Sequence, residues 1–241
     1  MKKFFRNHSP FLLWSATTIL LYAAAPLASS QEESVKPGIN DSFQDPDVRE
    51  FIDRFEGDGR AIYAKRQEVL ATLGLKPGDE VADIGAGTGF FSMMMGKAVG
   101  DSGTVYAVDI AQNFLDHIVE TAGEKGLKNV RPVLCDQKST KLEPNSIDAA
   151  FICDVYHHFE FPFLTMASLH QAIRTGGTLV VVDFERIVGI TGQFFMDHMR
   201  AGKGTFTDEI IDSGFELVEE IDLFEEQYVL RFRKREMASE R

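Results

Sequence analysis

Cysteine is nearly absent from this chain: Cys135 and Cys153 are the only two in 241 residues. Two thiols cannot staple a disulfide scaffold, and an all-cysteine zinc site needs four. Clustered positive charge is missing as well. Lysine and arginine number 25 against 37 aspartates and glutamates, a formal net charge of −12. Lys2, Lys3 and Arg6 are the only charges in the first thirty residues, and without them 22 basic residues face 37 acidic ones. A body so acidic, with no basic stripe, repels a phosphate backbone, so nucleic acid is not an expected partner. No internal repeat or low-complexity block occurs either. What is left is a chain 44% hydrophobic, of a length that one large domain accommodates.

The N-terminus joins a short basic head, MKKFFRNHSP, to the apolar run FLLWSATTILLYAAAPLASS. Basic head, apolar middle and small-residue exit are the three parts of a secretory signal, expected over residues 1–30. Ala28 and Ser30 take the −3 and −1 positions if cleavage falls before Gln31. No cysteine follows the run, so a lipid has no attachment point. The alternative is an uncleaved anchor, since Phe11–Ala28 approaches the ~20 residues that span a bilayer. Only then is a membrane a partner. Both readings send the body outward, with Lys2, Lys3 and Arg6 left inside, so export, for example to a periplasm, is expected. Residues 31–45, rich in Ser, Pro, Gly and acids, read as a linker. The domain is expected over 46–235, with 236–241 as a tail.

Two helical patterns open the domain, over Asp47–Phe55 and Arg60–Leu73, broken by Gly57 and Gly59. Strand candidates follow at Glu80–Ile84, Thr104–Asp109, Val130–Leu134, Ile147–Cys153 and Thr178–Asp183. Helical stretches separate them, among them Phe90–Val99, one carrying Phe114, Ile118 and Ala122 four apart, and Phe161–Ile173. Alternation of this kind implies a parallel sheet covered on both faces. Phe215–Phe224 and Gln227–Arg233 then read as consecutive strands, an antiparallel pair completing seven.

The first strand runs into Gly85-Ala86-Gly87-Thr88-Gly89 and then a helix. Glycines there permit a tight turn and close approach of a ligand to a helix N-terminus. Asp109 ends the second strand 20 residues beyond Gly89, the usual distance of a ribose-binding carboxylate. Asp136 and Asp154 follow two further strands. A nicotinamide site spaces its glycines G-x-G-x-x-G; here the third comes one residue early, and Phe90 replaces the small residue. Asp83 beside the loop is unhelpful to a pyrophosphate and suits a cationic amine.

VADIGAGTGFFS, VYAVDI, LCDQ, SIDAAFICDVYHHF and RTGGTLVVVDFE, taken together, resemble successive motifs of the class I S-adenosylmethionine (SAM) dependent methyltransferases. DVYHHF and GGTLVVVDF are most similar to small-molecule members, including quinone-biosynthesis C-methyltransferases. The resemblance implies an α/β fold: a Rossmann-like, doubly wound sheet ordered 3-2-1-4-5-7-6, its last strand antiparallel. It implies SAM as cofactor. Gly85, Gly87 and Gly89 would cradle the methionine part, with Asp83 near the amino group. Asp109 would hold the ribose, Asp136 and Gln137 would border the adenine, and Asp154 would complete the cofactor set. With three strand spacings between them in that order, Cys135 and Cys153 are not expected to form a disulfide.

The acceptor is expected to be a small molecule met by His157 and His158 as the catalytic candidates. Tyr156, Glu185 and Arg186 are substrate candidates at the carboxyl edge of the sheet. The Asn/Asp-Pro-Pro-Tyr/Phe signature of amide and amine enzymes is absent, as is the Pro-Cys of cytosine C5 enzymes. Asp154 and Asp183 resemble acids that hold magnesium in catechol-type enzymes, but Phe184 replaces the Asn, and no metal is expected. His198, Arg200 and Lys203 form a basic knot, expected as a solvated loop before a helix at Thr207–Ser213. The rival reading is an exported protein that binds a nucleoside-like ligand on the same fold without catalysis. Nothing in the sequence specifies an oligomeric state.

Overall fold

The computed structural model describes Met1 and residues 31–57 and 59–236, so the expected signal or anchor (residues 1–30) lies almost wholly outside the described residues. The expected tail does so beyond Glu236. Among the described residues, no helix is long and apolar enough to cross a membrane.

Alternation of apolar residues shapes the sheet. In β1 (Glu80–Ile84), Val81 faces one layer, while Ala82 and Ile84 face the other. The same division runs through β2 (Thr104–Asp109), β4 (Ile147–Cys153) and β5 (Ile173–Phe184). Strands buried on both faces need helices on both. One layer is α2 (Ala61–Ala64), α3 (Arg66–Thr72) and α4 (Phe90–Val99), through Ile62, Val69 and Met95. The other is α6 (Pro162–Ala172) and α8 (Lys203–Asp212), through Met166, Leu169, Phe206 and Ile210. α5 (Gln112–Glu124) covers β2 and β3 (Val130–Leu134). The seven strands lie in the order β3-β2-β1-β4-β5-β7-β6, as expected. β7 (Gln227–Lys234) runs antiparallel to both β5 and β6 (Phe215–Ile221). Order reverses between β1 and β4, so the ends of β1, β2, β4 and β5 converge on one crevice.

Several boundaries differ from expectation. The first helix, α1, is Val48–Phe55, with Asp47 outside it as the cap that accepts from Arg49 N at 3.0 Å. The second pattern breaks at Lys65 into α2 and α3. β5 starts five residues early, because Ile173 already pairs with Ile147 ahead of a register shift. α8 begins at Lys203, since Gly204 falls in the first turn, where poor propensity costs little, and α7 (Gln193–His198) was not expected. Cys135 and Cys153 are both free, with β2 and β1 lying between their strands.

The stretch expected as a linker is docked instead. Val35 N donates to Glu160 O at 2.9 Å, Ser34 Oγ to Glu160 Oε2 at 2.6 Å, and Asn40 Nδ2 to His158 O at 3.0 Å. Ile39 and Asn40 are buried. Polar composition suggested freedom, but these polar atoms are spent on fixed partners.

Gly89 sets the seat of α4. Its φ of 78° is left-handed, and an added Cβ would lie 2.5 Å from Ile118 Cγ1. Gly89→Ala should therefore destabilise the fold by about 2–4 kcal/mol, through strain and overpacking together. Adding Ile118→Val should recover part of that loss in a denaturant titration. Equal stability of Gly89→Ala and the parent would refute the packing argument.

Candidate active site

The four convergent strands and the segment 31–45 enclose a cavity of about 840 Å³, near the upper end of the ~300–1,000 Å³ that ligands fill. Its floor is the turn after β1. Gly85 takes φ 71°, and an added Cβ would strike Val155 at 2.5 Å, so only glycine lets the backbone cross there.

Buried acids ring this turn. Asp83 is 4% exposed and accepts from Ser92 Oγ at 2.6 Å. Burial, aggravated by the charge of Asp109, pushes its carboxyl up to about 7 despite the Ser92 bond. Asp109, 5% exposed, accepts from Gly87 N at 2.8 Å and Ala111 N at 2.9 Å. It thus ties β2 to the glycine turn, and its carboxyl is also raised by burial. Asp154 stands at φ 55°, a strained setting for a side chain. From there it pairs with Arg60 and accepts from Gln227 Nε2 at 2.5 Å; burial raises it to about 6 against the pull of Arg60. Asp136 differs in being exposed: a hydrogen bond from Lys141, 2.6 Å away, holds it below the usual carboxylate range. Asp136 and Gln137 border the cavity beyond β3.

Aromatic rings line the cavity throughout, Phe55 against Gly87 at the turn and Phe43, Phe184, Phe194 and Phe195 at the other end. The polar feature of that other end is a set of imidazoles. Asp183, fully buried, accepts from His157 N at 3.0 Å and from His157 Nδ1 at 2.7 Å. In the neutral ring that bond keeps the proton on Nδ1 and leaves the lone pair on Nε2. Burial works to lower His157, but the charge and hydrogen bond of Asp183 win and hold it above its ordinary value. His158 lies tilted beside it, ring centroids 4.3 Å apart, and burial with its charged neighbours drives it down to about 2. His198, at the end of α7, completes the set with Nε2 3.3 Å from His158 Nε2.

The structure therefore gathers Asp83, Gly85, Gly87, Asp109, Asp136, Gln137, Asp154, His157 and His158 around one cavity. Four of the expected residues lie elsewhere. Gly89 packs on Ile118, below the cavity. Tyr156 is wholly buried between Phe159 and Phe206, its hydroxyl donating to Glu209 at 3.2 Å. Glu185 is engaged by Lys203 at 3.1 Å, and Arg186 donates to Met196 O at 3.0 Å; neither faces the cavity. The basic knot is no solvated loop either. Arg200 is bidentate on Glu209, Lys203 bridges Glu185 and Glu220, and only His198 reaches the cavity. Sequence reasoning missed Arg60, Ser92 and Gln227 as partners of the buried acids. It also missed that His198 joins a pair of histidines 40 residues away.

Residues 81–177 match the family model described as a methyltransferase domain. The ubiquinone/menaquinone biosynthesis C-methyltransferase of Teredinibacter turnerae is 29% identical over 114 residues, 47% of this chain and 46% of that enzyme. The chain thus matches about half the length of its curated relative. A SAM-dependent methyltransferase from Aquifex aeolicus superposes with a TM-score of 0.69 at 22% identity, over 78% of this chain and 98% of that one. The [4+2]-cyclase SpnF superposes with 0.63 at 18%, over 75% and 85%. The fold is that of the class I SAM-dependent methyltransferases, and that fold also carries other chemistry.

An acid raised from 3.8 to about 7 destabilises the ligand-free fold increasingly as pH climbs from about 4 to 7. Asp83→Asn removes that penalty and loses the charged bond to Ser92. Between pH 4 and pH 8 the variant should gain on the parent by about 4 kcal/mol. Parallel stability curves across that range would show that Asp83 is not strained.

Proposed function

We propose that this chain is a SAM-dependent methyltransferase acting on an apolar small molecule. The observation that carries the reading is that a glycine turn ringed by buried acids and an aromatic chamber share one cavity. The turn fits the cofactor: side chains at Gly85 would close it, and a buried, raised carboxyl at Asp83 calls for a cationic partner. Bound SAM supplies an activated methyl group on a sulfonium. Asp83 meets its ammonium, Gly85 and Gly87 admit its methionine chain, and the free lone pairs of Asp109 take the ribose hydroxyls. Asp136 and Gln137 edge the adenine. Asp154, already shared by Arg60 and Gln227, anchors those two side chains at the cavity wall rather than serving as a free acceptor. Phe184 and Phe195, stacked 3.9 Å apart, offer a flat apolar wall to the acceptor. His157 and His158 present the edge at which its reacting atom rests. Placement beside the methyl donor is then most of catalysis.

The rival reading, a nucleoside-like ligand held without methyl transfer, gains weight from a neighbour on this fold that is a cyclase. Calorimetry with SAM and transfer of labelled methyl into an apolar extract of the source cells separate the two. Micromolar SAM binding with labelled product is expected; binding without product favours the rival, and no binding refutes both cofactor assignments. Because the ammonium pairs with ionised Asp83, SAM affinity should fall nearly tenfold per unit below pH 6, with proton release on binding. Asp83→Asn should bind more weakly by about 1.5–3 kcal/mol and lose that pH dependence.

Export belongs to the same proposal. The body is delivered outside the cytoplasm and cleaved at or near Gln31, whose own side chain then sits docked, donating to Glu160 O at 3.1 Å and accepting from Phe163 N at 3.1 Å. N-terminal sequencing of protein from native cell fractions should find a mature form starting there. A cytosolic form beginning at Met1 would overturn export and leave the catalytic reading standing.

A further inference from the structure

The three imidazoles at the aromatic end hold more organisation than an acceptor edge needs. They come from distant parts of the chain: His157 and His158 from the turn after β4, His198 from the end of α7. One ring nitrogen of each lies within 4.8 Å of the other two. The His158–His198 separation of 3.3 Å is the edge expected between two ligands of a tetrahedral ion bound at about 2.0–2.1 Å.

Proton placement agrees. Asp183 fixes the Nδ1 proton of His157, which leaves a lone pair at Nε2; carboxylate behind imidazole is the usual support of a metal-bound histidine. His158 Nδ1 makes no hydrogen bond among the described residues. Its Nε2 faces His198 Nε2 across 3.3 Å. Two such nitrogens at 3.3 Å share a proton or a cation. Charge also has to balance. Lys36, donating to Asp197 O at 3.2 Å, is the cation near the set, and Arg54 acts on His198 from further off. Buried Asp183 and half-buried Asp154 oppose them.

We propose that His157, His158 and His198 form a binding site for a borderline divalent transition ion of the zinc type, with its fourth position open to the cavity. Three imidazoles and no carboxylate ligand select against magnesium and calcium, which need oxygen. The nearest acids are spent elsewhere, Asp183 on His157 and Asp154 on Arg60 and Gln227. Phe43 beside His158 and Phe194 beside His198 flank the set, and an oxygen, nitrogen or sulfur atom of the acceptor would coordinate at the open position. This deepens the proposed function and rests on it for the acceptor, whereas the ligand set itself does not depend on SAM.

The test uses the full-length protein without a histidine tag, stripped with a chelator and titrated with zinc alone, then with cobalt(II). One equivalent of zinc should bind at submicromolar dissociation constant, and cobalt should give the strong visible bands of a four-coordinate ion. His198→Ala, a half-buried position at a helix end, should lose about a hundredfold in zinc affinity and those bands, with its thermal midpoint unchanged. His198→Cys keeps a donor and should retain tight binding. No stoichiometric zinc uptake, or uptake unchanged in His198→Ala, would overturn the site. SAM calorimetry on the same samples separates the two proposals: SAM binding without zinc refutes only the metal site, and zinc without SAM refutes only the cofactor assignment.

Discussion

Four carboxylates, buried Asp83, Asp109 and Asp183 and half-buried Asp154, stand at the carboxyl ends of β1, β2, β4 and β5, and each must be given donors or lose its charge. Much of the local structure follows from how each is supplied. Ser92 on α4 serves Asp83, and the backbone of the glycine turn and of Ala111 serves Asp109. Arg60 and Gln227 serve Asp154, and an imidazole serves Asp183. Only Asp83 has a single neutral donor. It is the acid left with the least, and it is the one that a cationic ligand best completes.

The supply of donors also explains why remote segments close on the site. Arg60 stands just before α2 and Gln227 opens β7, so Asp154 joins the beginning and end of the domain at one point. Asp109 draws the backbone N–H of Gly87 towards β2, which shapes the turn as much as the glycines permit it. Removing one acid therefore disturbs an element as well as a contact.

Legibility in the sequence divides along the same line. Strand ends, glycine turn and acids were readable because each is local: apolar alternation, a short motif, an acid at a fixed offset. Seven strands in the right order followed from that and from the family resemblance. What was not readable is pairing at a distance. Nothing in Tyr156 marks it as core rather than cavity; its fate depends on Phe206 and on Glu209, 53 residues further on. Glu185 and Arg186 stand at the correct sheet edge, yet lie outside the cavity, because Lys203 and the Met196 carbonyl engage them. Residues 31–45 had the composition of a linker, and no local rule says that Ser34 and Asn40 have partners more than a hundred residues on.

That docked segment bears on how the cavity is finished. Phe43 meets the His158 ring edge-on at 5.0 Å, Asn40 holds the His158 carbonyl, and Lys36 caps the end of α7 through the Asp197 and His198 carbonyls. The segment thus touches both elements that bring the histidines together. Its contacts with the turn after β4 and with α7 fix their spacing, which no single strand of the sheet does. Different parts of the chain therefore hold the cavity: the sheet holds the glycine turn, while the segment ahead of the sheet and α7, between β5 and β6, hold the histidines.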